Sequence, residues 1–244
     1  NVAPIAICQN LTVQLDNLGI ASITASQVDN GSTDACGIAS MGINIGTFTC
    51  ANINANAVIL TVSDVNGNSS TCSATITVLD TVLPVANCQN ITVQLDMTGN
   101  GFASANLVDN NSFDACGIQT MSLNQVFFGC GQVGANPVIL TVTDVNGNSA
   151  TCGAVVTVED TIAPAAVCQN LTVQLDNSGN ASIVASQIDN GSSDACGIQS
   201  LALNITTFNC ANVNGNTVIL TVTDVNGNTS TCSANVTIED NVAP

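Results

Sequence analysis

Twelve cysteines and seventeen carboxylates are the side chains of this 244-residue sequence that offer chemistry, and both sets recur every 80 residues. Cys8, Cys88 and Cys168 align. So do Cys36, Cys116 and Cys196, then Cys50, Cys130 and Cys210, then Cys72, Cys152 and Cys232. An even number of cysteines per period, at fixed spacing, is the pattern of a disulfide framework. No His accompanies them to complete a mixed zinc site, and no Cys-x-x-Cys occurs. Metal and redox chemistry at sulfur are therefore disfavoured, and the chain is expected outside the reducing cytoplasm, at the cell surface or beyond it.

Fifteen of the 17 acidic residues fall at five repeated positions: 16/96/176, 29/109/189, 34/114/194, 64/144/224 and 80/160/240. Glu159 and Glu239 adjoin the last of these. There is no Lys, Arg or His, so no carboxylate has a side-chain cation to pair with. Nucleic acid is excluded as a partner, because phosphate contacts need cations on the protein. Acid–base catalysis by His or Lys is excluded as well. An anionic membrane surface would repel the chain, and no run approaches the roughly 18 apolar residues of a spanning helix, so no direct membrane insertion is expected. Carboxylate pairs such as Asp109 and Asp114 could suggest a glycosidase. They recur in all three units and no aromatic sugar platform accompanies them, so the reading is no enzyme.

The elements that must hold these groups are strands. Leu11-Thr12-Val13-Gln14-Leu15 alternates apolar and polar residues, as do Val58-Leu60-Val62 and Cys72-Ala74-Ile76-Val78 with their intervening neighbours. Turn chemistry separates them at residues 16–19, 29–32 and 64–68. About seven strands are expected per unit, near 5–15, 20–25, 38–44, 46–50, 51–57, 58–64 and 70–79. The predicted fold is all-β, a tandem array of three immunoglobulin-like β-sandwich repeats of 80 residues. Their bounds are 1–80, 81–160 and 161–240, with 241–244 beginning a further repeat in a longer array. With six Phe, no Trp and no Tyr, each core is aliphatic and thin, and small thin cores need staples.

Four cysteines per unit allow three pairings. In this topology the first and last strands lie side by side, which predicts Cys8–Cys72, Cys88–Cys152 and Cys168–Cys232. Reading the third strand and the next as an antiparallel pair puts Cys36 and Cys50 at one end. That predicts Cys36–Cys50, Cys116–Cys130 and Cys196–Cys210. Loops of about 64 and 14 residues would then contribute roughly 4 and 3 kcal/mol through the unfolded chain.

Each unit opens like Asp80-Thr81-Val82-Leu83-Pro84 with Cys88 following. Each closes like Asp64-Val65-Asn66-Gly67-Asn68 with Cys72, Thr77 and Asp80 following. This resembles the HYR-type Ig-like domain. It is similar also to the Cys-rich repeats of giant bacterial surface adhesins, the SprB-type gliding adhesins exported by type 9 secretion. Asp114-Ala115-Cys116-Gly117 and Phe208-Asn209-Cys210 fit those repeats, whereas Gln9 stands where HYR domains often carry Pro after the Cys. The resemblance implies an extracellular stalk or adhesive fibre.

Strand order gathers the carboxylates at the junctions between units. Asp16 and Asp80 are expected to meet Asp109, Asp114 and Asp144 at the first. Asp96, Glu159 and Asp160 are expected to meet Asp189, Asp194 and Asp224 at the second. Asn146 and Asn226 add carbonyl oxygens, and Asp64 is the equivalent position in the first unit. Several carboxylates in one place repel unless neutralised, and Ca²⁺ takes about six to eight hard oxygen ligands. A junction Ca²⁺ site is one reading. The other is ordinary turn chemistry, in which Asp accepts backbone N–H groups and Asn-Gly favours a hairpin turn. The function expected is a structural stalk segment of an adhesin or surface filament. Its partners are the neighbouring repeats of the same chain and possible further copies in a fibre. A calcium-dependent glycan-binding module and a subunit of a bundled filament are the alternatives.

Overall fold

The computed structural model describes residues 2–241, so all of the expected fourth-repeat start except Asn241 lies outside the described residues. In the first repeat the strands are β1 (Leu11–Gln14), β2 (Ile20–Ser22), β3 (Ile38–Ile43), β4 (Thr47–Thr49), β5 (Asn54–Asp64) and β6 (Ser69–Leu79). A single helical turn, α1 (Ala25–Val28), precedes β3, and a 3-10 turn at Cys50–Asn52 follows β4. The second repeat repeats this order with β7 (Ile91–Gln94), β8 (Asn100–Phe102), α2 (Ala105–Val108), β9 (Ile118–Leu123), β10 (Phe127–Gly129), β11 (Gly134–Asp144) and β12 (Ser149–Glu159). The third has β13 (Leu171–Gln174), β14 (Asn180–Ser182), α3 (Ala185–Ile188), β15 (Ile198–Leu203), β16 (Thr207–Asn209), β17 (Asn214–Asp224) and β18 (Thr229–Glu239).

Each repeat is a small sandwich of a four-stranded and a two-stranded sheet. In the first, the strand orders are β1-β6-β5-β3 and β2-β4. β5 and β6 form a long antiparallel hairpin, from Asn54 opposite Val78 to Ser63 opposite Ser69. β1 joins β6 in parallel, with Leu11 opposite Ile76 and Val13 opposite Val78. The first and last strands thus lie side by side, as the sequence pattern predicts. There are six strands per repeat, not seven. Residues 51–57 are not a segment of their own: from Asn54 they continue into 58–64 as one strand, because nothing in them breaks the ladder.

The alternation read from sequence is the burial pattern. Val58, Leu60 and Val62 of β5 are fully buried, and Ala74, Ile76 and Val78 of β6 face them in the same core. Phe48, from β4, closes that core from the opposite sheet and is fully buried. The third repeat rebuilds it with Phe208, Val218, Leu220, Val222, Val236 and Ile238. Each such side chain contributes about 1.5–3 kcal/mol by leaving water.

Asparagine does much of the work that ion pairs do elsewhere. Asn10 Oδ1 accepts the Thr75 N–H at 2.8 Å, just before β1 begins, and Asn90 and Asn170 do the same for Val155 and Asn235. Asn44 Oδ1 accepts the Ile59 N–H at 2.8 Å. Asn56 Nδ2 donates to the Asn52 carbonyl at 2.6 Å and to the Asn54 carbonyl at 2.9 Å.

Contacts group the chain into two compact units. One comprises the chain through Gln89 with Ser104–Asn124 and Ile139–Ala154. The other comprises Asn90–Ala103, Gln125–Val138 and the chain from Val155 onward. The division passes through the second repeat.

Truncating Phe48 to Ala removes the one aromatic ring of the first core. An increase in urea sensitivity equivalent to about 3–5 kcal/mol is expected. Equilibrium unfolding of Phe48→Ala against the unaltered chain measures it.

Candidate functional site

Strand directions decide where the second pair of cysteines goes. β5 runs from Asn54 toward Asp64, and β3 is antiparallel to it, with Ile38 opposite Asp64 and Ile43 opposite Leu60. β3 therefore starts at the end that carries the 64–68 turn. β4 is antiparallel to β2, with Thr49 opposite Ile20, the residue that leaves the 16–19 turn after β1. β4 thus continues in the direction of β3 while changing sheets. Cys36, before β3, and Cys50, after β4, lie at opposite ends of the repeat.

This corrects the expected Cys36–Cys50, Cys116–Cys130 and Cys196–Cys210 bonds. They required β3 and β4 to form a hairpin, which the change of sheet forbids. Cys50 instead bonds Cys116 of the next repeat, with their Cα atoms 5.3 Å apart. Cys130 bonds Cys196 in the same way, at 5.1 Å. Cys36 and Cys210 are free and exposed. Cys8–Cys72, Cys88–Cys152 and Cys168–Cys232 are formed within repeats, between the chain segment before each first strand and the last strand beside it. Sequence reasoning missed the cross-repeat bonds because it sought partners only inside each 80-residue period.

The joint is shaped to admit this bond. Gly19, at φ +73°, stands beside Cys50, and a Cβ there would lie 2.8 Å from Cys50 Sγ and 3.3 Å from Ala115 Cβ of the next repeat. Gly99, at φ +76°, has the same surroundings, 2.7 Å from Cys130 Sγ and 3.4 Å from Ala195 Cβ. Only glycine combines that backbone with that approach.

Each expected carboxylate can now be placed. Asp64, Asp144 and Asp224 are buried. Asp144 Oδ1 accepts the N–H groups of Asn146 and Asn148, both at 2.8 Å, and its Oδ2 accepts Asn148 Nδ2 at 2.7 Å. The Asn68 side chain and the N–H groups of the 66–68 turn hold Asp64 below the usual carboxylate range, against its burial. Burial pushes Asp224 up, but the Asn228 side chain and the turn N–H groups outweigh it and the net shift is downward. Asp109 closes its own loop, accepting the Ser112 N–H at 3.0 Å. Asp189 does likewise for Ser192, whose hydroxyl and N–H, with the Gly191 N–H, hold it low despite some burial. Asp16 and Asp96 cap the turns after β1 and β7. Glu159 lies on β12 and accepts Gln94 Nε2 at 2.6 Å. The structure leaves these last groups outside the joint cluster.

Two positions do converge. A carboxylate oxygen of Asp80 and one of Asp114 lie within 4.8 Å of each other and of Cys116 Sγ, and Asp160, Asp194 and Cys196 repeat the arrangement. Asp80 Oδ1 accepts the Val82 N–H at 3.1 Å, while its buried Oδ2 has no hydrogen-bond partner among the described residues. Asp160 is likewise held by the Ile162 N–H at 3.0 Å, is 9% exposed, and leaves Oδ2 unpartnered. Burial holds the Asp80 carboxyl above the usual range; the Val82 N–H opposes this, and the charges of Asp114 and Asp144 add to it. Asn148 ties the parts together, donating to Asp144 and, at 3.3 Å, to the Asp80 carbonyl. Asn228 bridges Asp224 and the Asp160 carbonyl, at 3.1 Å, in the same manner. The sulfurs beside these pairs are in disulfides and offer no thiolate.

No protein-family model matches the chain. Hyalin from Strongylocentrotus purpuratus is 27% identical over 206 residues, which is 80% of this chain and 17% of hyalin. Among solved structures, an I-band fragment of titin matches at 12% identity and a TM-score of 0.37, over 98% of this chain and 99% of that one. The immunoglobulin domains 1–5 of Sidekick-1 match at 9% identity and 0.39, over 98% and 59%. The assignment of tandem β-sandwiches rests on the strand pairing above. With five disulfides, the protein is extracellular. Among the described residues no helix is long and apolar enough to cross a membrane.

Non-reducing peptide mapping should recover Cys50 joined to Cys116 and Cys130 joined to Cys196, with alkylation marking Cys36 and Cys210. Recovery of a Cys36–Cys50 peptide would show that β3 and β4 form a hairpin after all.

Proposed function

We propose that this chain is a stalk segment of an extracellular adhesin or surface filament, bacterial and type 9 secreted by the repeats it resembles. In this reading each joint between 80-residue repeats is locked by a disulfide and bridged by Ca²⁺. The cross-repeat bonds carry the proposal. A disulfide that closes a single repeat stabilises that repeat, whereas Cys50–Cys116 ties the far end of one repeat to the near end of the next. Short linkers alone leave neighbouring domains free to move. A second covalent connection beside Asp80–Pro84 removes that freedom, which is what a segment under tension requires. The chain has no catalytic role.

Pulling the chain by its ends tests the within-repeat disulfides, on which the locked stalk also depends. When oxidised, residues 8–72, 88–152 and 168–232 are bypassed by disulfides and cannot extend. Reduction should release them at about 3.3–3.6 Å per residue, lengthening the fully stretched chain several-fold. Equal extension before and after reduction would exclude a disulfide-locked stalk.

Calcium enters through Asp80 and Asp160. Each leaves one buried oxygen unpartnered beside a second carboxylate, with no cation in the chain to neutralise the pair. Asp80 and Asp114 at the first joint, and Asp160 and Asp194 at the second, would supply carboxylate oxygens, with water and carbonyls completing the shell. Asp144 and Asp224 would contribute charge while remaining bound to their turns. Without metal, the charged form of Asp80 opposes folding, because its folded pKa lies above its unfolded value. That penalty vanishes as pH falls through the folded value toward 3.8. Asp29, Asp64, Asp96, Asp189 and Asp224 are shifted the other way, so the stability they contribute is lost only below 3.8.

The doubly substituted chain Asp80→Asn with Asp160→Asn separates the two readings. In chelator it should melt about 2–4 °C higher than the unaltered chain. Millimolar Ca²⁺ should raise the melting temperature of the unaltered chain and leave the variant unmoved. Calorimetry that detects no Ca²⁺ binding would leave turn chemistry as the whole role of these carboxylates.

A further inference from the structure

Aromatic side chains are scarce in this chain and unevenly placed. Of the six Phe, Phe48, Phe128 and Phe208 are buried, one in each repeat. The other three, Phe102, Phe113 and Phe127, are exposed, and all belong to the second repeat. Phe113 lies on a loop bridged to Val85. Phe102 and Phe127 stand opposite each other on β8 and β10. Their ring centroids are 5.4 Å apart and the ring planes are tilted by 53°. Phe102 is 55% exposed and Phe127 73%.

The other repeats show that the fold does not need this pair. In the same register, Ser22 stands opposite Thr47 and Ser182 opposite Thr207. A third position changes with the rings. Gly129, two residues after Phe127 and on the same face, replaces Thr49 and Asn209. Its φ of −136° is open to any residue, and a Cβ there would meet nothing nearer than the Gly99 carbonyl oxygen at 3.7 Å. Neither backbone nor space calls for glycine. Its effect is to leave the rings uncovered along the strand. Asn100, opposite Gly129, and Gln125, two residues before Phe127, bracket the rings with amides. Asn100 Nδ2 donates to Thr98 Oγ1 at 2.8 Å and Gln125 Nε2 to the Phe127 carbonyl at 3.3 Å, while neither amide oxygen accepts a hydrogen bond among the described residues. The pair occurs once, so the 80-residue periodicity conceals it.

Size and charge limit what covers this face. Two rings so exposed offer roughly 250 Å² of apolar surface, against about 800 Å² per partner in a stable protein–protein interface. A second copy would also bring seventeen further carboxylates and no cation. The same charge repels an anionic ligand, and none of Asn100, Phe102, Gln125, Phe127 and Gly129 singles out a cationic one. A small uncharged ligand with a flat apolar face and a hydrogen-bonding rim fits. A pyranose with equatorial hydroxyls has that form. Its axial C–H bonds carry partial positive charge toward the negative face of a ring, and its hydroxyls point outward to donors and acceptors.

We infer that the outer face of β8 and β10 binds neutral glycan. Phe102 and Phe127 stack on the sugar, and Asn100 and Gln125 hold its hydroxyls. The second repeat is adhesive through this face where its neighbours are not. The inference goes beyond the stalk reading and depends on neither calcium nor the joint disulfides.

The test titrates the chain in chelator with cellohexaose and with mannohexaose, both uncharged, by calorimetry and saturation-transfer NMR. At least one should bind, with a dissociation constant of about a millimolar and strongest transfer at the axial C–H protons. Phe102→Ser with Phe127→Thr installs the residues that the first repeat carries, so the variant should keep the melting temperature of the unaltered chain. It should lose about tenfold or more in affinity. Ser22→Phe with Thr47→Phe and Thr49→Gly should add a second site to the chain. Oligogalacturonate, the anionic control, should bind about tenfold more weakly or worse. Failure of both neutral oligosaccharides to bind, or equal binding by the double variant, would overturn the inference. So would a concentration-dependent dimer in sedimentation that the double variant abolishes, since a second copy would then occupy the face. Chelator is present throughout, so failure of the calcium site leaves this result untouched.

Discussion

Seventeen carboxylates and no side-chain cation confront this fold with one electrostatic constraint: every carboxylate drawn out of water must be answered by N–H donors or left facing another charge. The turns supply the donors. Asp64, Asp144 and Asp224 are buried, each accepting backbone N–H groups and an asparagine amide, and at Asp64 and Asp224 these bonds favour the charged form. A carboxylate that accepts several such bonds keeps its ionised form even when buried. The asparagines elsewhere follow from the same constraint. They satisfy backbone groups at strand ends where lysine or arginine would add charge, and they do so at equivalent positions in every repeat. Asp80 and Asp160 are the exception, each with one oxygen answered and one not.

That exception lies beside the covalent joint. The chain brings Asp80 and Asp114 together at the point where Cys50 and Cys116 are bonded. Repulsion between the carboxylates is small beside a covalent bond, so the disulfide decides the geometry and the charges adjust to it. The two classes of disulfide have different energetic roles. Cys8–Cys72 closes a loop of 64 residues and constrains the unfolded chain by about 4 kcal/mol on the loop-entropy model. It compensates for a core with one buried aromatic ring. Cys50–Cys116 closes a loop of similar length, 66 residues, but that loop contains the linker. Its effect falls on the orientation of two repeats as well as on the stability of either.

Periodicity made the strands legible. Alternation in β5 and β6 is the burial pattern residue by residue, and the 80-residue register of cysteines fixes the repeat. Cys8–Cys72 was readable because it depends only on the first and last strands being neighbours. Cys36–Cys50 was misread because β3 and β4 change sheets without reversing, and nothing in Asn44-Ile45-Gly46 distinguishes that crossing from a hairpin. The acidic positions were legible as a set but not as roles. Asp109 and Asp189 sit on the expected side of the repeat, yet their oxygens are taken by their own loops. Glu159 is one residue from Asp160, and strand pleating sends it to the opposite face.

The overlap of the disulfide loops has a consequence for survival outside the cell. The loops closed by Cys8–Cys72, Cys50–Cys116, Cys88–Cys152, Cys130–Cys196 and Cys168–Cys232 each begin before the previous one ends. Every peptide bond between Cys8 and Cys232 therefore lies inside at least one ring. A protease that nicks this stretch once, even in a linker, leaves both sides attached. The polypeptide behaves as a run of overlapping rings, and separating its two ends within this stretch takes three cuts or a reductant.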